Sequence, residues 1–266
     1  MNLFSVRTLL FRLSQLPYIQ HKKVDFFIIG AQKAGTTSLR HHLLRHPSIC
    51  MSYTKEPHYF DRNHIWPKKI SEYWYEKDFD QSNHHKLMGE ITPIISYHPS
   101  ALAKISDYNP QAKMIMILRN PIARAFSHWN MEVDRGNEHK EFIECVALEA
   151  KRITNTNDKS RMIYSYVDRG YYSKQINQIN VHFPKKQTLY IKYEDYVAKP
   201  AIVLGSIYSF LKVRSYAPIF KHHRAHTRAY QRCISEEEKD RLISMYTEDI
   251  KRVEELLGWD CSDWLC

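Results

Sequence analysis

Short apolar runs of strand length alternate along this chain with segments of helical spacing. Runs at 26–29, 86–92, 114–118 and 188–193 predict buried strands. Helices are predicted over 38–46, 100–107, 138–153, 171–182, 200–211 and 235–257, with another beginning at Pro121 and a helix and loop within 66–85. Such alternation is typical of a mostly parallel sheet flanked by helices. The pattern therefore predicts a single α/β domain that binds its ligand beyond the carboxyl ends of the strands.

The helix over 235–257 has the clearest boundaries. Ser235 and Glu238 form a capping box at its start, and Gly258 follows its last apolar residue. Apolar residues recur between them at helical spacing, so one face of this helix is expected to pack on the core.

The N-terminal segment differs from the rest of the chain. Residues 1–23 are predicted to form a helical extension and residues 24–266 the main domain. Arg7 and Arg12 interrupt the apolar residues of the extension, and no cleavage site of small residues follows, which argues against a membrane span or a signal peptide. A helix packed on its own domain is favoured over one lying on a membrane surface.

Composition narrows the classes of partner. The 266 residues are 43% hydrophobic, so a large core is available, and the net charge of +10 favours an anionic partner. The five cysteines are odd in number and form no C-x-x-C pair, which argues against a disulfide framework or a zinc knuckle. A cytoplasmic location is expected, with a Cys233–Cys261 or Cys233–Cys266 bridge left open.

A glycine-containing turn follows the first predicted strand and opens the first predicted helix. Gly30 and Gly35 keep the four-residue gap of a Walker A loop, but Thr36 occupies the position of the Walker lysine. The lysine lies inside the gap, at Lys33. Backbone N–H groups at such a turn bind phosphate, and this lysine position suits a phosphate with one further charged group and no metal. Taken alone, the loop could also be a tight turn with an exposed lysine.

A second candidate anion site follows the strand at 114–118. Arg119 comes directly after that strand, and Arg124 and Ser127 lie further along the helix that Pro121 opens. Arginine binds phosphate oxygens in a bidentate manner, and a nearby hydroxyl adds a donor. An arginine paired with a carboxylate is the alternative. Together with the glycine loop, however, this site indicates a nucleotide phosphorylated at two places.

These motifs resemble those of sulfotransferases that use 3′-phosphoadenosine-5′-phosphosulfate (PAPS). The resemblance is greatest to the heparan sulfate N- and 3-O-sulfotransferases and their bacterial relatives, and it extends over most of residues 24–264. The matching segments are G-x-x-K-x-G-T-T at 30–37, K-E-P-H-Y-F-D at 55–61 and R-N-P-x-x-R-x-x-S at 119–127. The resemblance implies a phosphate-loop, nucleotide-kinase-like architecture.

The resemblance also implies roles for individual residues. Glu56 is the candidate general base, His58 orients it or the acceptor, and Lys33 stabilises charge on the leaving oxygen. No metal is required. The residues implied to bind the nucleotide are Gln32, Lys33, Ala34, Gly35, Thr36, Thr37, Ser38, Arg119, Ser127, Arg224 and Arg228, with Tyr230 nearby.

The sequence departs from the family pattern in two places. The 3-O-sulfotransferases have E-K-T-P where this chain has Glu90-Ile91-Thr92-Pro93, which puts their acceptor in doubt for this chain. The C-terminal nucleotide loop, typically K-G-R, is replaced by the basic, histidine-rich segment 221–228. Histidines there could suggest a metal, but no carboxylate or cysteine lies at ligand spacing.

Four functions remain at this point. A sulfotransferase that acts on a hydroxyl or amine, of a carbohydrate or glycolipid, is favoured, and a non-carbohydrate small-molecule acceptor is the alternative. A kinase-like phosphate-loop protein conflicts with Thr36, and a nucleic-acid-binding protein conflicts with dispersed basic residues. An inactive nucleotide-binding relative conflicts with Glu56. Segments 62–85 and 134–165 are expected to contact the acceptor, and the oligomeric state is not predicted.

Overall fold

This computed structural model describes residues 22–62, 68–83, 85–154, 158–216, 230 and 232–266. Within them, five parallel strands form one sheet. The spatial order is β2-β3-β1-β4-β5, and all four pairings are parallel. The strands are β1 (Phe26–Gly30), β2 (Ile49–Met51), β3 (Leu87–Ile91), β4 (Lys113–Leu118) and β5 (Thr188–Lys192). The predicted α/β class and sheet type are confirmed.

Burial explains why these segments form strands. All five residues of β1 are buried, as are the last five of the six in β4. A strand covered on both faces needs apolar side chains at consecutive positions, because each face of the sheet meets a layer of helices. The continuous apolar runs in the sequence therefore correspond to the centre of the sheet.

Helices flank the sheet, and most lie close to their predicted ranges. Helix α1 starts two residues earlier than predicted and ends at Leu43 rather than at 46. The described helices are α1 (Thr36–Leu43), α2 (Lys68–Glu76), α3 (Ala101–Tyr108), α4 (Pro121–Asp134), α5 (Phe142–Thr154), α6 (Asp158–Tyr164), α7 (Tyr172–His182), α8 (Tyr193–Ala198), α9 (Pro200–Leu211) and α10 (Glu236–Leu257). Strand β2 and helices α6 and α8 were not predicted, because each is too short to show a period.

The predicted capping of α10 is confirmed. The Ser235 side chain accepts from the Glu238 N–H, and the Glu238 side chain accepts from the Ser235 N–H. Gly258 ends the helix in a left-handed conformation. Helix α10 packs against α7 and α4, so its apolar stripe faces the core.

The topology brings the predicted ligand-binding segments together. Strand β1 lies between β3 and β4, so the chain leaves β1 at the point where the strand order reverses. Open α/β sheets bind ligands at this switch point. The loop after β1 and the residues after β4 and β5 therefore share one edge of the sheet. No helix within the described residues combines the length and apolar composition needed to cross a membrane. The predicted N-terminal helix falls almost wholly outside those residues.

Candidate active site

The glycine loop connects β1 to α1 through two left-handed residues, Lys33 at φ 71° and Gly35 at φ 81°. A Cβ at Gly35 would lie 2.8 Å from the Tyr193 ring, so both backbone conformation and space require glycine. Helix α1 begins at Thr36, and no side chain in the described part of the chain caps its N-terminus. The amides of its first turn have no partner within the helix, which makes this end a site for an anion.

Arg119 lies beside this loop. Its Nη1 donates to the Lys33 carbonyl at 2.9 Å, and its guanidinium stacks on the Tyr193 ring at 5.0 Å. The Arg119 carbonyl accepts from the Tyr172 hydroxyl at 2.8 Å. The Asn120 side chain accepts from two backbone N–H groups at the start of α4. These contacts confirm the sequence-based expectation that segments after β1, β4 and β5 meet, and they fix a guanidinium at the edge of the loop.

Ser127 lies two helical turns further along α4 and is 4% exposed. Its hydroxyl accepts from the Tyr230 hydroxyl at 2.8 Å, and the Tyr230 ring packs edge-on against Phe126. Arg124, which the sequence also placed near a second phosphate, points elsewhere. Its side chain is fully buried and donates to the Tyr166 carbonyl, because the face of α4 on which it lies packs into the core.

Glu56 and His58 lie on a loop after β2, and both have left-handed backbone conformations, with φ of 60° and 56°. The His58 Nδ1 lies 2.8 Å from Asp61 Oδ2, and its Nε2 lies 3.8 Å from Glu56 Oε2. Burial opposes ionisation of Asp61, but the hydrogen bond and charge of His58 outweigh it and lower the pKa of Asp61. Asp61 therefore fixes the ring and directs Nε2 toward Glu56.

An open cavity of about 240 Å³ joins the glycine loop to this carboxylate loop. Gln32 contributes from the glycine loop, and Glu56 and His58 contribute from the other. The remaining wall residues are Pro93, Ile94, Glu132, Arg135, Asn137, Met162, Ile163 and Arg169. Arg119 and Ser127 lie outside this wall. The geometry therefore separates an anion-binding region along α1 and α4 from a cavity that contains a carboxylate and a histidine.

Some functional candidates were not found from the sequence. The sequence indicates Asp61 only as part of a motif and gives no indication of Glu132 or Arg169. The Glu132 carboxylate accepts from Arg135 at 2.9 Å and Asn137 at 2.7 Å in the cavity wall. These two contacts are local, but nothing in the sequence indicates that they border a cavity, and the contact of Arg169 with Gln32 joins residues 137 positions apart. Arg224 and Arg228, which were predicted to bind the nucleotide, lie outside the described residues.

The sheet order and the glycine loop at its switch point define the class of the protein as an α/β fold of the phosphate-loop type. The chain belongs to the sulfotransferase family, since the profile for the sulfotransferase domain matches residues 23–248. This is the family that the motifs predicted. Among the described residues, no group of three or more histidine, cysteine, aspartate or glutamate side chains is arranged to hold a metal ion.

Individual relatives agree with this assignment. The chain is 28% identical over 190 residues to human heparan sulfate glucosamine 3-O-sulfotransferase 3B1, covering 70% of this chain and 45% of the relative. It is 34% identical over 112 residues to the membrane-associated sulfotransferase kil1 of Dictyostelium discoideum, covering 41% and 23% of the two chains. The chain thus spans less than half the length of these curated relatives.

Solved structures share the fold. A sulfotransferase from Alicyclobacillus acidocaldarius superposes with a TM-score of 0.76 at 26% identity, covering 91% of this chain and 99% of that one. Mouse sulfotransferase SULT7A1 complexed with PAP gives a TM-score of 0.50 at 20% identity, covering 77% and 64%. The second likeness concerns the fold alone.

Proposed function

We propose that this enzyme transfers the sulfuryl group of PAPS to a hydroxyl or amine by in-line displacement, without a metal and with Glu56 as general base. The main support is the cavity in which Gln32 of the glycine loop faces Glu56 and His58. A donor held by the loop and an acceptor held against Glu56 would meet there. Holding two reactants in line is itself a large part of catalysis.

The nucleotide fits the anion-binding region beside this cavity. Gln32, Lys33, Ala34 and the amides from Gly35 to Ser38 would hold the 5′-phosphosulfate, because the uncapped start of α1 favours negative charge. Arg119 and Ser127 would hold the 3′-phosphate. Arg119 lies at the edge of the glycine loop and Ser127 lies further along the chain on α4, which suits a nucleotide with a second phosphate group beside the first. Arg224 and Arg228 remain proposed contacts.

Glu56 is suited to accept a proton from the acceptor. Its side chain is 31% exposed and lies 3.8 Å from His58, so it borders the cavity without being sealed in the core. As the acceptor oxygen forms a bond to sulfur, its proton moves to Glu56. The bond between sulfur and the bridging oxygen breaks, and that oxygen leaves on the 5′-phosphate. His58, held by Asp61, orients Glu56 or the acceptor.

Lys33 is suited to stabilise the leaving group. Its left-handed backbone places it at the tip of the glycine loop, and Arg119 holds its carbonyl. Negative charge develops on the bridging oxygen during transfer, and an ammonium at that position stabilises it. Lys33 therefore acts at the opposite end of the reaction axis from Glu56.

A carbohydrate or glycolipid is the proposed acceptor. The motif resemblance and the curated relatives that are named as heparan sulfate enzymes support this class. The acceptor of the 3-O-sulfotransferases themselves is in doubt for this chain, since Ile91, which is 1% exposed, occupies the position of the E-K-T-P lysine, and a non-carbohydrate small molecule is the alternative. Screening acceptors with sulfur-labelled PAPS separates the two.

Glu56→Gln tests the assignment of the base. The amide has the same shape but cannot accept the proton, so turnover should fall by about a hundredfold or more. Binding of adenosine 3′,5′-bisphosphate (PAP) should stay unchanged, because Glu56 lies on the acceptor side. The assay combines transfer of labelled sulfuryl with calorimetric titration of PAP.

Glu144→Gln is the matched control, because its side chain is 53% exposed on α5. It should turn over like the wild type. Wild-type turnover in Glu56→Gln would show that the base lies elsewhere, with His58 as the next candidate.

A further inference from the structure

The loop that precedes α7 is held from several directions and presents Arg169 to the cavity. The Glu149 carboxylate accepts from the backbone N–H groups of Val167 and Asp168 at 2.6 and 2.7 Å. The Tyr246 hydroxyl donates to the Val167 carbonyl at 2.7 Å. Backbone held by buried partners on both sides has little freedom, so the position of Arg169 is fixed before any ligand binds.

Arg169 is buried, with 4% of its surface exposed, yet it lines the cavity. Its guanidinium donates to Gln32 Oε1 and to the Met162 carbonyl at 2.6 Å, and it stacks on the Tyr97 ring at 5.1 Å. A third, longer bond of 3.4 Å goes to the carbonyl of Arg161. A guanidinium has five N–H donors, so these three bonds leave two of them available, including the one on Nε.

The charge of Arg169 is favoured by the carboxylates of Glu132 and Glu149, which lie beyond ion-pair distance. Among the described residues, no carboxylate lies within ion-pair distance of it. Burial, and then the neighbouring cation of Arg124, lower the pKa of Arg169 to about 10, so it is still charged at neutral pH. Arg124 is itself fully buried, and its Nε and Nη1 have no hydrogen-bond partner among the residues that the structure describes. Buried cations are costly unless an anion accompanies them, which makes this wall of the cavity attractive to negatively charged oxygen.

We propose that Arg169 is a further catalytic residue, which contacts the oxygens of the sulfuryl group during its transfer. This inference rests on the proposed function. Its position supports it, because Arg169 bonds Gln32, the residue before Lys33, and shares the cavity with Glu56. During transfer, the sulfuryl group moves from the donor beside Lys33 to the acceptor beside Glu56. While the acceptor oxygen bonds to sulfur and the bridging oxygen leaves, Arg169 stabilises the three oxygens that stay on sulfur.

The test compares two nucleotides that differ only by the sulfuryl group. The Kd of PAP and the Kd of PAPS are measured by titration without acceptor, for the wild type and for Arg169→Gln. The ratio of the Kd for PAP to that for PAPS should fall by roughly tenfold to a hundredfold in the variant, the size expected for hydrogen bonds to a charged group. The Kd of PAP itself should change less than twofold.

Two further variants make the result decisive. Arg169→Lys keeps the charge but loses the fork of donors, so the ratio should fall at least threefold. If Arg169→Gln does not unfold cooperatively on heating, and is therefore not folded, Arg169→Lys replaces it in the test. Arg161→Gln removes a charge from the exposed side of α6 and should leave the ratio unchanged.

A ratio within twofold of the wild type in the folded Arg169 variants overturns the inference. That result is expected if Arg169 binds an anionic group of the acceptor, or only holds Gln32 in place. The proposed function fails separately, if the wild type itself does not prefer PAP to ATP.

Discussion

Lys33, Glu56 and His58, three of the residues to which we assign chemistry, all have left-handed backbone conformations. Among the described non-glycine residues, Lys212 is the only other one with a positive φ. Such a conformation costs a non-glycine residue about 1–2 kcal/mol, so it persists only where the surroundings hold it. The contacts of Arg119 with the Lys33 carbonyl and of Asp61 with the His58 ring are such constraints. We infer that these side chains are oriented before the substrates bind.

At the residue scale, Gly35→Ala tests the glycine loop. The added Cβ would lie 2.8 Å from the Tyr193 ring, and Tyr193 also supports the Arg119 guanidinium. The loop must shift, so two nucleotide contacts are disturbed together. The affinity for PAP, measured by calorimetry, should fall about tenfold or more, as expected when a charged hydrogen bond is lost.

Gly136→Ala is the matched control. Gly136 also has a positive φ, of 71°, but a Cβ there would meet no atom of the described residues within 4 Å. Both variants should lose about 1–2 kcal/mol of stability through backbone strain, Gly35→Ala should lose more because of the contact with Tyr193, and only Gly35→Ala should lose PAP affinity. If Gly35→Ala binds PAP as tightly as the wild type, the loop does not hold the phosphate.

The amino-acid sequence identifies functional residues whose role follows from local spacing, but it does not identify residues whose role depends on tertiary packing. The two glycines, Lys33 and Arg119 could be found because each stands at a fixed offset from a predicted strand. Arg169 could not, because its partner Gln32 is 137 positions away along the chain. The burial of Arg124 likewise depends on which face of α4 meets the core.

At the element scale, the end of β3 is linked to α2 by a buried carboxyl group. Glu90 is 1% exposed and accepts hydrogen bonds from the Tyr75 and Thr92 hydroxyls. Burial raises the pKa of Glu90 to about 7, although both hydroxyl bonds oppose the shift. The carboxyl group therefore binds a proton in the folded enzyme under conditions where the unfolded chain releases it.

The pKa of Glu90 predicts how stability depends on pH. Between about pH 5 and pH 7 the folded state holds more protons than the unfolded state, so the free energy of unfolding falls as the pH rises. A displacement from 4.5 to about 7 is on the order of 3 kcal/mol. Glu90→Gln should remove this contribution and show a flatter profile in urea unfolding at several pH values.

Glu255→Gln, on the exposed face of α10, is the control for this experiment. It should follow the wild-type profile. Glu149, whose pKa burial also raises to about 7, keeps its own contribution in every variant. Parallel profiles for Glu90→Gln and the wild type would contradict the assignment of a bound proton to Glu90.

The elements themselves were predictable where the pattern was long. Helix α10 was predicted almost to the residue, because caps at both ends reinforce its apolar stripe. Strand β2, of three residues, was missed because it owes its conformation to pairing with β3 rather than to its own sequence. Short elements of this kind depend on the neighbouring strand or helix.

At the scale of the whole molecule, the sequence predicted the parallel sheet but not the order of its strands. The order follows from pairings between distant segments, and it places β1 between β3 and β4. That arrangement puts the glycine loop and Arg119 at one edge of the sheet. The central claim, that the site binds a nucleotide with phosphates at two places, depends on this convergence.

Calorimetric titration of the wild type with PAP, and separately with ATP and Mg²⁺, tests that claim most directly. Thr36 replaces the lysine that a triphosphate needs, whereas Arg119 and Ser127 supply a second phosphate site. PAP should bind at least about tenfold more tightly, a difference of about 1.4 kcal/mol. ATP binding that equals or exceeds PAP binding would contradict the account.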